Sequence, residues 1–393
     1  MTGRYAGPGA QHDVVVVGGG PAGAAAALHL AHCGRSVALV ARPPGRRPHL
    51  GETLASGVVT PLAQLGLWEA FLTAGHLPAT GTVACWGSAA PHERDSLFDP
   101  YGSSWHLDRA SFDAMLLAAA EDAGVDVRFG TVLHGDSGGD GWTVRVAGWS
   151  TATLRAPWVV DATGRGARVA RGQGVKRIRC DRLLGLARFY RSADTADTRT
   201  VVEATEPGWW YVTPLPGDRA VAVLFTDADL LPRDPVRRAE RWDGLLATTR
   251  LVRDRLGDAS GASPLCAAPA GSGALAAAYG RGWLAVGDAA QSLDPLSGQG
   301  IPTALGSALA AAKVLGSGRP GSAALERYAR CVHADYQDYL RERSAQYGRE
   351  TRWAHRPFWR RRALGLTPDG PRRSTWRTGR PAQSSTACAG GAA

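Results

Sequence analysis

Three turns, each directly behind an apolar run, hold residue types that could bind phosphate and sugar. Gly18, Gly20 and Gly23 stand as G-x-G-x-x-G immediately after Val14–Val17. In that pattern the first glycine allows a tight strand-to-helix turn, and the second lets backbone N–H groups reach a pyrophosphate. The third lets the helix pack close to the strand, and a helix starting at Pro21 and Ala22 turns its positive end toward the phosphates. A glycine-rich turn after a buried strand also occurs without a ligand, so the two later stretches matter. Asp161–Ala162–Thr163–Gly164 follows Trp158–Val160, and Gly287–Asp288 follows Trp283–Val286. Groups with proton chemistry are fewer. Glu52 lies in Gly51–Glu52–Thr53, and His76 and His106 are candidate proton shuttles.

The elements that must position these residues can be read from apolar spacing. Strands are expected at His12–Val17 and Ser36–Ala41, with a helix over Pro21–Cys33 between them. No acidic residue ends the second strand to hold an adenosine ribose; Ala41–Arg42 stands there, with Arg42 near the adenosine. A helix is expected over 110–123, followed by short strands near 125–129, 132–134 and 142–146. Residues 180–270 change texture. Strand-like runs at 184–190, 200–203, 209–214 and 220–226 predict an antiparallel sheet, and Thr80–Gly87 alternates as a strand. Helices follow over 301–315 and 325–347. Residues 1–11 read as a polar lead-in. Beyond Arg356 the arginines, prolines and Ser/Ala/Gly run predict little structure, a solvated basic tail.

Composition narrows the class. The 393 residues are 44% hydrophobic, ordinary for a globular protein with more than one domain. The net charge is +10, yet the segment from Arg341 onward holds 12 Arg against 3 acidic residues. The body is therefore not a polybasic nucleic-acid binder. The six cysteines are scattered without a C-x-x-C, which argues against structural zinc or a disulfide framework. No metal site is expected. No signal-peptide pattern and no apolar run long enough to span a bilayer is present, so the expectation is a cytoplasmic protein with no membrane span.

With all three turns in order, the chain resembles the FAD-dependent monooxygenase and tryptophan-halogenase-like superfamily over about residues 12–350. The resemblance implies an α/β fold. It has an FAD-binding Rossmann-like domain of the glutathione-reductase type, an inserted antiparallel β-sheet substrate domain and C-terminal helices. The FAD-binding parts are 12–79, 101–178 and 276–320; substrate-side strands are 80–100 and the substrate domain 179–275. A C-terminal helix follows over 321–355, then a basic tail over 356–393. It implies FAD contacts from Gly18, Gly20, Pro21, Ala22, Gly23, Arg42, Arg109, Val132, Asp161, Gly164, Gly287 and Asp288. Gly298, Gln299, Gly300 and Ile301 resemble the loop whose amides meet the flavin, where a helix N-terminus favours the negative charge of the reduced ring.

Gly208–Trp209–Trp210–Tyr211–Val212–Thr213–Pro214 resembles the W-x-W-x-I-P signature of the halogenases, and Gly51–Glu52–Thr53 their G-E loop. Two departures argue against halogenation. The family's lysine is missing, because the corresponding strand reads Thr82–Val83–Ala84–Cys85–Trp86 and the first lysine is Lys176. The family's glutamate is replaced by Ser297. The resemblance is closer to the quinone-cofactor maturase branch, whose members oxidise peptide-bound tryptophan. It is carried by Trp86–Gly87–Ser88, Asp99–Pro100–Tyr101–Gly102, Trp105–Arg109 and Arg352–Trp353 with Pro357–Arg361.

It implies hydroxylation of an electron-rich aromatic ring through a flavin C4a-hydroperoxide, with O2 as co-substrate and electrons from NAD(P)H or a separate flavin reductase. The substrate is a small aromatic, a peptide or a protein. Trp209, Trp210, Tyr211 and Pro295 are expected to line its pocket, and Glu52, His76, His106 and Ser297 are the catalytic candidates. Halogenation, reduction of isoprenoid or polyene double bonds, and a non-catalytic flavin-binding scaffold stay open.

Overall fold

Val14–Val17 is the inner strand of a six-stranded sheet, flanked by Val37–Ala41 and Trp158–Asp161. Its four valines are all buried, because a strand covered on both faces has no solvent side to alternate toward. Asp126–Phe129 and Trp283–Ala285 extend the sheet in parallel, and Tyr279–Gly280 closes one edge in antiparallel sense. Helices Pro21–His32, Arg109–Asp122 and Gly300–Gly316 pack together, the first against the other two. A four-stranded sheet containing Thr131–Gly138, Gly141–Ala147 and Thr151–Ala156 packs against the parallel strands. The computed structural model describes residues 10–43, 51–96, 102–138, 141–148, 151–191 and 196–363. The lead-in before residue 10, the motif residues Asp99, Pro100 and Tyr101, and the tail from 364 lie outside the described residues.

The second layer is a seven-stranded sheet. Its order is Cys266–Pro269, Leu183–Arg191, Arg219–Asp227, Gly208–Leu215, Thr200–Thr205, Gly81–Cys85 and His92–Asp95. All neighbours are antiparallel except Gly81–Cys85, which runs parallel to Thr200–Thr205. The strand near residue 80 therefore joins strands more than a hundred residues away. Side chains on Gly208–Leu215 alternate. Trp209 joins an aromatic cluster with Trp86, Phe225, Tyr347, Phe358 and Trp359, with Tyr211 packed against it, whereas Trp210 and Val212 join Trp242 and Val252 on the helical side.

One expectation is corrected. The chain beyond Arg356 is not uniformly low in structure, because Pro357–Ala363 is helical. Phe358 and Trp359 are buried there, and the Arg362 guanidinium meets Asp227 at 2.9 Å. The arginine density conceals this helix in the sequence, since one of those arginines is an internal partner for a buried carboxylate. Ser104–His106, just ahead of helix Arg109–Asp122, forms a strand. It is the central strand of a three-stranded sheet, between Thr53–Leu54 and Leu77–Ala79.

Candidate active site

Two uncapped helix starts define the site. Pro21–His32 begins behind Gly20 and Gly300–Gly316 behind Gln299, neither with a side-chain cap. Pro21–His32 leaves the carboxyl end of Val14–Val17, and Gly300–Gly316 packs on it and approaches Gly287, just past the carboxyl end of Trp283–Ala285. The first-turn N–H groups of both helices therefore lie near the end of the sheet where such folds bind ligands. The glycines divide their work. A Cβ on Gly18, whose φ is +115°, would meet the Ala162 carbonyl oxygen at 2.1 Å, and one on Gly23 would meet the Gly18 carbonyl oxygen at 1.7 Å. These two glycines close the turn. A Cβ on Gly20, Gly298 or Gly300 would meet no protein atom within 4 Å. These three leave a backbone cradle that a side chain would fill.

Asp288 is partly exposed and paired with Arg165 at 3.3 Å. Gly287 lets its turn approach both helices, with a Cβ there only 2.7 Å from the Ala22 methyl. Asp161 behaves differently from the expectation of a cofactor contact. It is fully buried, one oxygen accepts from the Thr163 N–H and hydroxyl at 3.0 and 2.6 Å, and the other accepts from Ala170 N–H at 2.9 Å. Its role in the structure is to hold the turn that carries Gly164. Arg42 is exposed past the end of its strand, and Val132 is half-buried.

Glu52 is 4% exposed, and its Oε2 accepts the Gly51 N–H at 2.9 Å while Oε1 has no partner. Burial pushes its carboxyl up, only partly offset by backbone N–H groups and the Arg109 guanidinium. Arg109 donates to the Gly51 carbonyl at 3.2 Å and pairs with Asp113 at 3.2 Å. Next to Glu52, the Thr53 hydroxyl bonds the Tyr211 phenol. Tyr211 is pushed up by burial and then by the nearby Glu52, and the Cys266 thiol is raised by the same two causes.

Behind Thr53 stands His106, fully buried. Its Nε2 donates to the Thr198 carbonyl at 2.7 Å, so Nδ1 is the bare nitrogen and accepts the Thr213 hydroxyl at 2.8 Å. Burial lowers its pKa to about 4. The structure therefore makes His106 a neutral support for the Thr53–Tyr211 pair rather than a shuttle open to solvent. His76 is remote in character. It is buried against Phe71 and Phe112, with centroids 4.7 and 6.1 Å away, and burial lowers its pKa. Ser297 donates to the Asp294 carbonyl at 2.9 Å, within the turn that carries the exposed Pro295.

The aromatic run is only partly a wall of this site. Trp210 is fully buried and packs on Trp242 at 5.0 Å, on the far face of the sheet. It lines no pocket with Tyr211, because neighbouring strand residues point to opposite faces. Trp209 stacks on Phe225 at 4.2 Å and is 2% exposed, so it backs the site from within the core. Sequence alone assigns Thr53, Thr213 and Asp294 no chemical role of their own. Thr53 and Thr213 fall inside motifs, beside Glu52 and in the run Gly208–Pro214, but each of the three has its partner far away in the chain.

The family model described as FAD binding domain matches residues 11–341. The chain belongs to the FAD binding domain family. It is an FAD-dependent oxidoreductase, and the open cradle at Gly20, Gly298 and Gly300, with uncapped helix N-termini, fits that cofactor. This flavoprotein is 32% identical, over 89% of its length and 96% of the relative's, to the FAD-dependent oxidoreductase LodB of Marinomonas mediterranea. It is 31% identical to a menaquinone reductase of Mycobacterium tuberculosis, over 78% of this chain and 76% of the other. Among solved structures, the flavin-dependent halogenase CmlS matches at TM-score 0.81 and 25% identity, covering 91% of this chain and 68% of that one. The peptidyl tryptophan dihydroxylase QhpG matches at TM-score 0.75 and 28% identity, covering 90% and 79%. Among the described residues no cluster suited to a metal ion occurs, and no helix is long and apolar enough to cross a membrane.

Proposed function

We propose that this flavoprotein is a monooxygenase that hydroxylates an electron-rich aromatic ring. The ring is tryptophan or another indole in a peptide or protein, or a related natural-product intermediate. The observation that carries the reading is Glu52, a buried carboxyl with one unpartnered oxygen beside a phenol and next to the residue that Arg109 grips. Likeness to a peptidyl tryptophan dihydroxylase supports the indole class.

Bound FAD supplies the electrons that activate O2. The N–H groups at Gly20–Gly23 would hold its pyrophosphate, Asp288 the sugar-chain hydroxyls, and the turn Gly298–Ile301 the ring, with Arg109 nearby. Arg165, 3.3 Å from Asp288, would hold that carboxylate in place. Burial raises the Glu52 carboxyl, so it gives up its proton less readily than an exposed glutamate. At Oε1 it would accept a hydrogen bond from a ring N–H or, protonated, donate to a hydroxyl. Tyr211 and Thr53, backed by the neutral His106, would wall the ring off from water and keep its reacting carbon close to the cofactor. Both lysines of the chain, Lys176 and Lys313, are exposed and lie off the strand Gly81–Cys85, so the amine that the halogenases use there is missing. Electrons would come from NAD(P)H or a separate flavin reductase.

The test supplies the FAD-loaded protein with a flavin reductase, NADH, 18O2 and tryptophan-containing peptides, alongside a quinone and a polyene, with and without chloride. Product carrying one or two 18O atoms supports the reading. A chlorinated product, or a quinone or polyene that gains two hydrogens without oxygen while the peptides remain unchanged, overturns it.

A further inference from the structure

The long helix Ser322–Gly348 turns Tyr336, Tyr339, Arg343 and Tyr347 to one face, spaced three, four and four residues apart. Three of these converge on one residue, Asp294, which is fully buried immediately before the turn Pro295–Ile301. The Asp294 N–H donates to the Tyr339 phenol at 2.7 Å. Its Oδ2 accepts from Arg343 Nε at 3.1 Å and from the Tyr347 hydroxyl at 2.9 Å. Its Oδ1 accepts the Leu296 N–H at 3.0 Å, and its carbonyl accepts the Ser297 N–H and hydroxyl. Every polar group of Asp294 is thus engaged, and its orientation dictates how the chain leaves toward Gly298 and Gly300. The far side of the network is equally anchored. Arg343 Nη2 donates to Asp181 at 2.7 Å, Tyr339 bonds Ser272 at 2.6 Å, and the Tyr347 hydroxyl accepts the Trp209 indole N–H at 3.0 Å.

Trp209 stands two residues before Tyr211 on the same face of its strand. A hydrogen-bonded path therefore runs from the substrate-side sheet through Tyr347 and Asp294 to the turn that opens helix Gly300–Gly316. We infer that Tyr347 and Arg343 are positioning residues which, through Asp294, set the pose of the turn Pro295–Ile301 and thereby the reduction potential of the bound flavin. The inference rests on the proposed placement of the flavin ring at that turn. A helix N-terminus favours an anion only within its first turn, so a turn that swings away stabilises the reduced flavin less than the oxidised one. An ordinary packing role for this helix would affect stability and leave the relative affinity of the two redox forms unchanged.

The test is the midpoint potential of FAD in the holoprotein, by dye-coupled equilibrium reduction. Three variants are compared: Tyr347→Phe, which keeps the ring and removes one hydroxyl, Arg343→Lys, and Trp242→Phe in the other core cluster. The expected result is a tenfold loss of preference for reduced flavin in Tyr347→Phe and Arg343→Lys, a potential lower by about 30 mV for a two-electron couple. Trp242→Phe should leave it unchanged. If Tyr347→Phe does not fold with FAD, Arg343→Lys carries the same reading. Unchanged potentials in both variants, or an equal shift in Trp242→Phe, overturn the inference. A parallel Gly300→Val variant separates the two levels. If it perturbs FAD binding or potential while Tyr347→Phe and Arg343→Lys do not, only the coupling fails. If it perturbs neither, the flavin placement and the inference fall together.

Discussion

Lowering the pH should unfold this protein through His106. The ring is fully buried, with Nε2 donating to Thr198 and Nδ1 accepting from Thr213. Protonating Nδ1 would put two donors face to face and bury a positive charge that the Arg255 guanidinium also opposes. The folded value, about 4 against 6.5 for an unhindered histidine, means that the unfolded chain binds the extra proton between those two pH values. Stability from this group is therefore fully present above 6.5 and is lost as the pH falls through the window toward 4. The linkage amounts to about 2 kcal/mol between pH 7 and pH 5, and to about 3 kcal/mol at its limit. The assay is urea unfolding of the FAD-saturated protein at both pH values, beside His106→Gln, which cannot titrate. Wild type should lose about 2 kcal/mol more than the variant. Equal losses in the two proteins would refute the argument that a buried, neutral His106 supports Thr53 and Tyr211.

Other consequences concern the cofactor, the carboxyl and the C-terminal helix. Gly20→Val should fill the cradle and cost the protein its FAD; a variant that purifies yellow would remove the nucleotide site from this turn. Glu52→Gln should retain FAD yet lower kcat at least tenfold, with the kcat-pH profile losing the limb set by the raised carboxyl; an unaltered profile would make Glu52 a bystander. Arg362→Met breaks a buried pair and should destabilise by roughly 3 kcal/mol, somewhat moderated because Arg361 still meets Asp227 at 2.9 Å. Thermal unfolding of Arg362→Met beside wild type checks this, and an unchanged midpoint would mean that Pro357–Ala363 does not hold the sheet.

The nucleotide half was legible because its chemistry is local. Val14–Val17 and Gly18 to Gly23 are contiguous, so one window of sequence contains the strand, the turn and the helix start. Gly287–Asp288 and the segment Pro295–Ile301 were legible only through their resemblance to the flavoprotein superfamily. Strand-like composition sufficed for five strands of the second sheet, but not for His92–Asp95 or Cys266–Pro269.

Tertiary structure alone decided which of those residues face the site. Trp209, Trp210 and Tyr211 are equivalent by type, and only the packing of the sheet sends Trp210 to the helical side and Tyr211 toward Glu52. Asp161 has the composition of a ligand, yet it spends both oxygens on its own turn because Ala170 folds back over it. The three-stranded sheet joining Thr53, Leu77 and His106 pairs Thr53 with His106, more than fifty residues away, through strands of two and three residues, too short for any periodic signal. Arginine-rich sequence after Arg356 reads as a solvated tail until Asp227, over a hundred residues upstream, is seen waiting for Arg362. Local backbone chemistry is written in consecutive residues, whereas burial and pairing across the chain are properties of the folded whole.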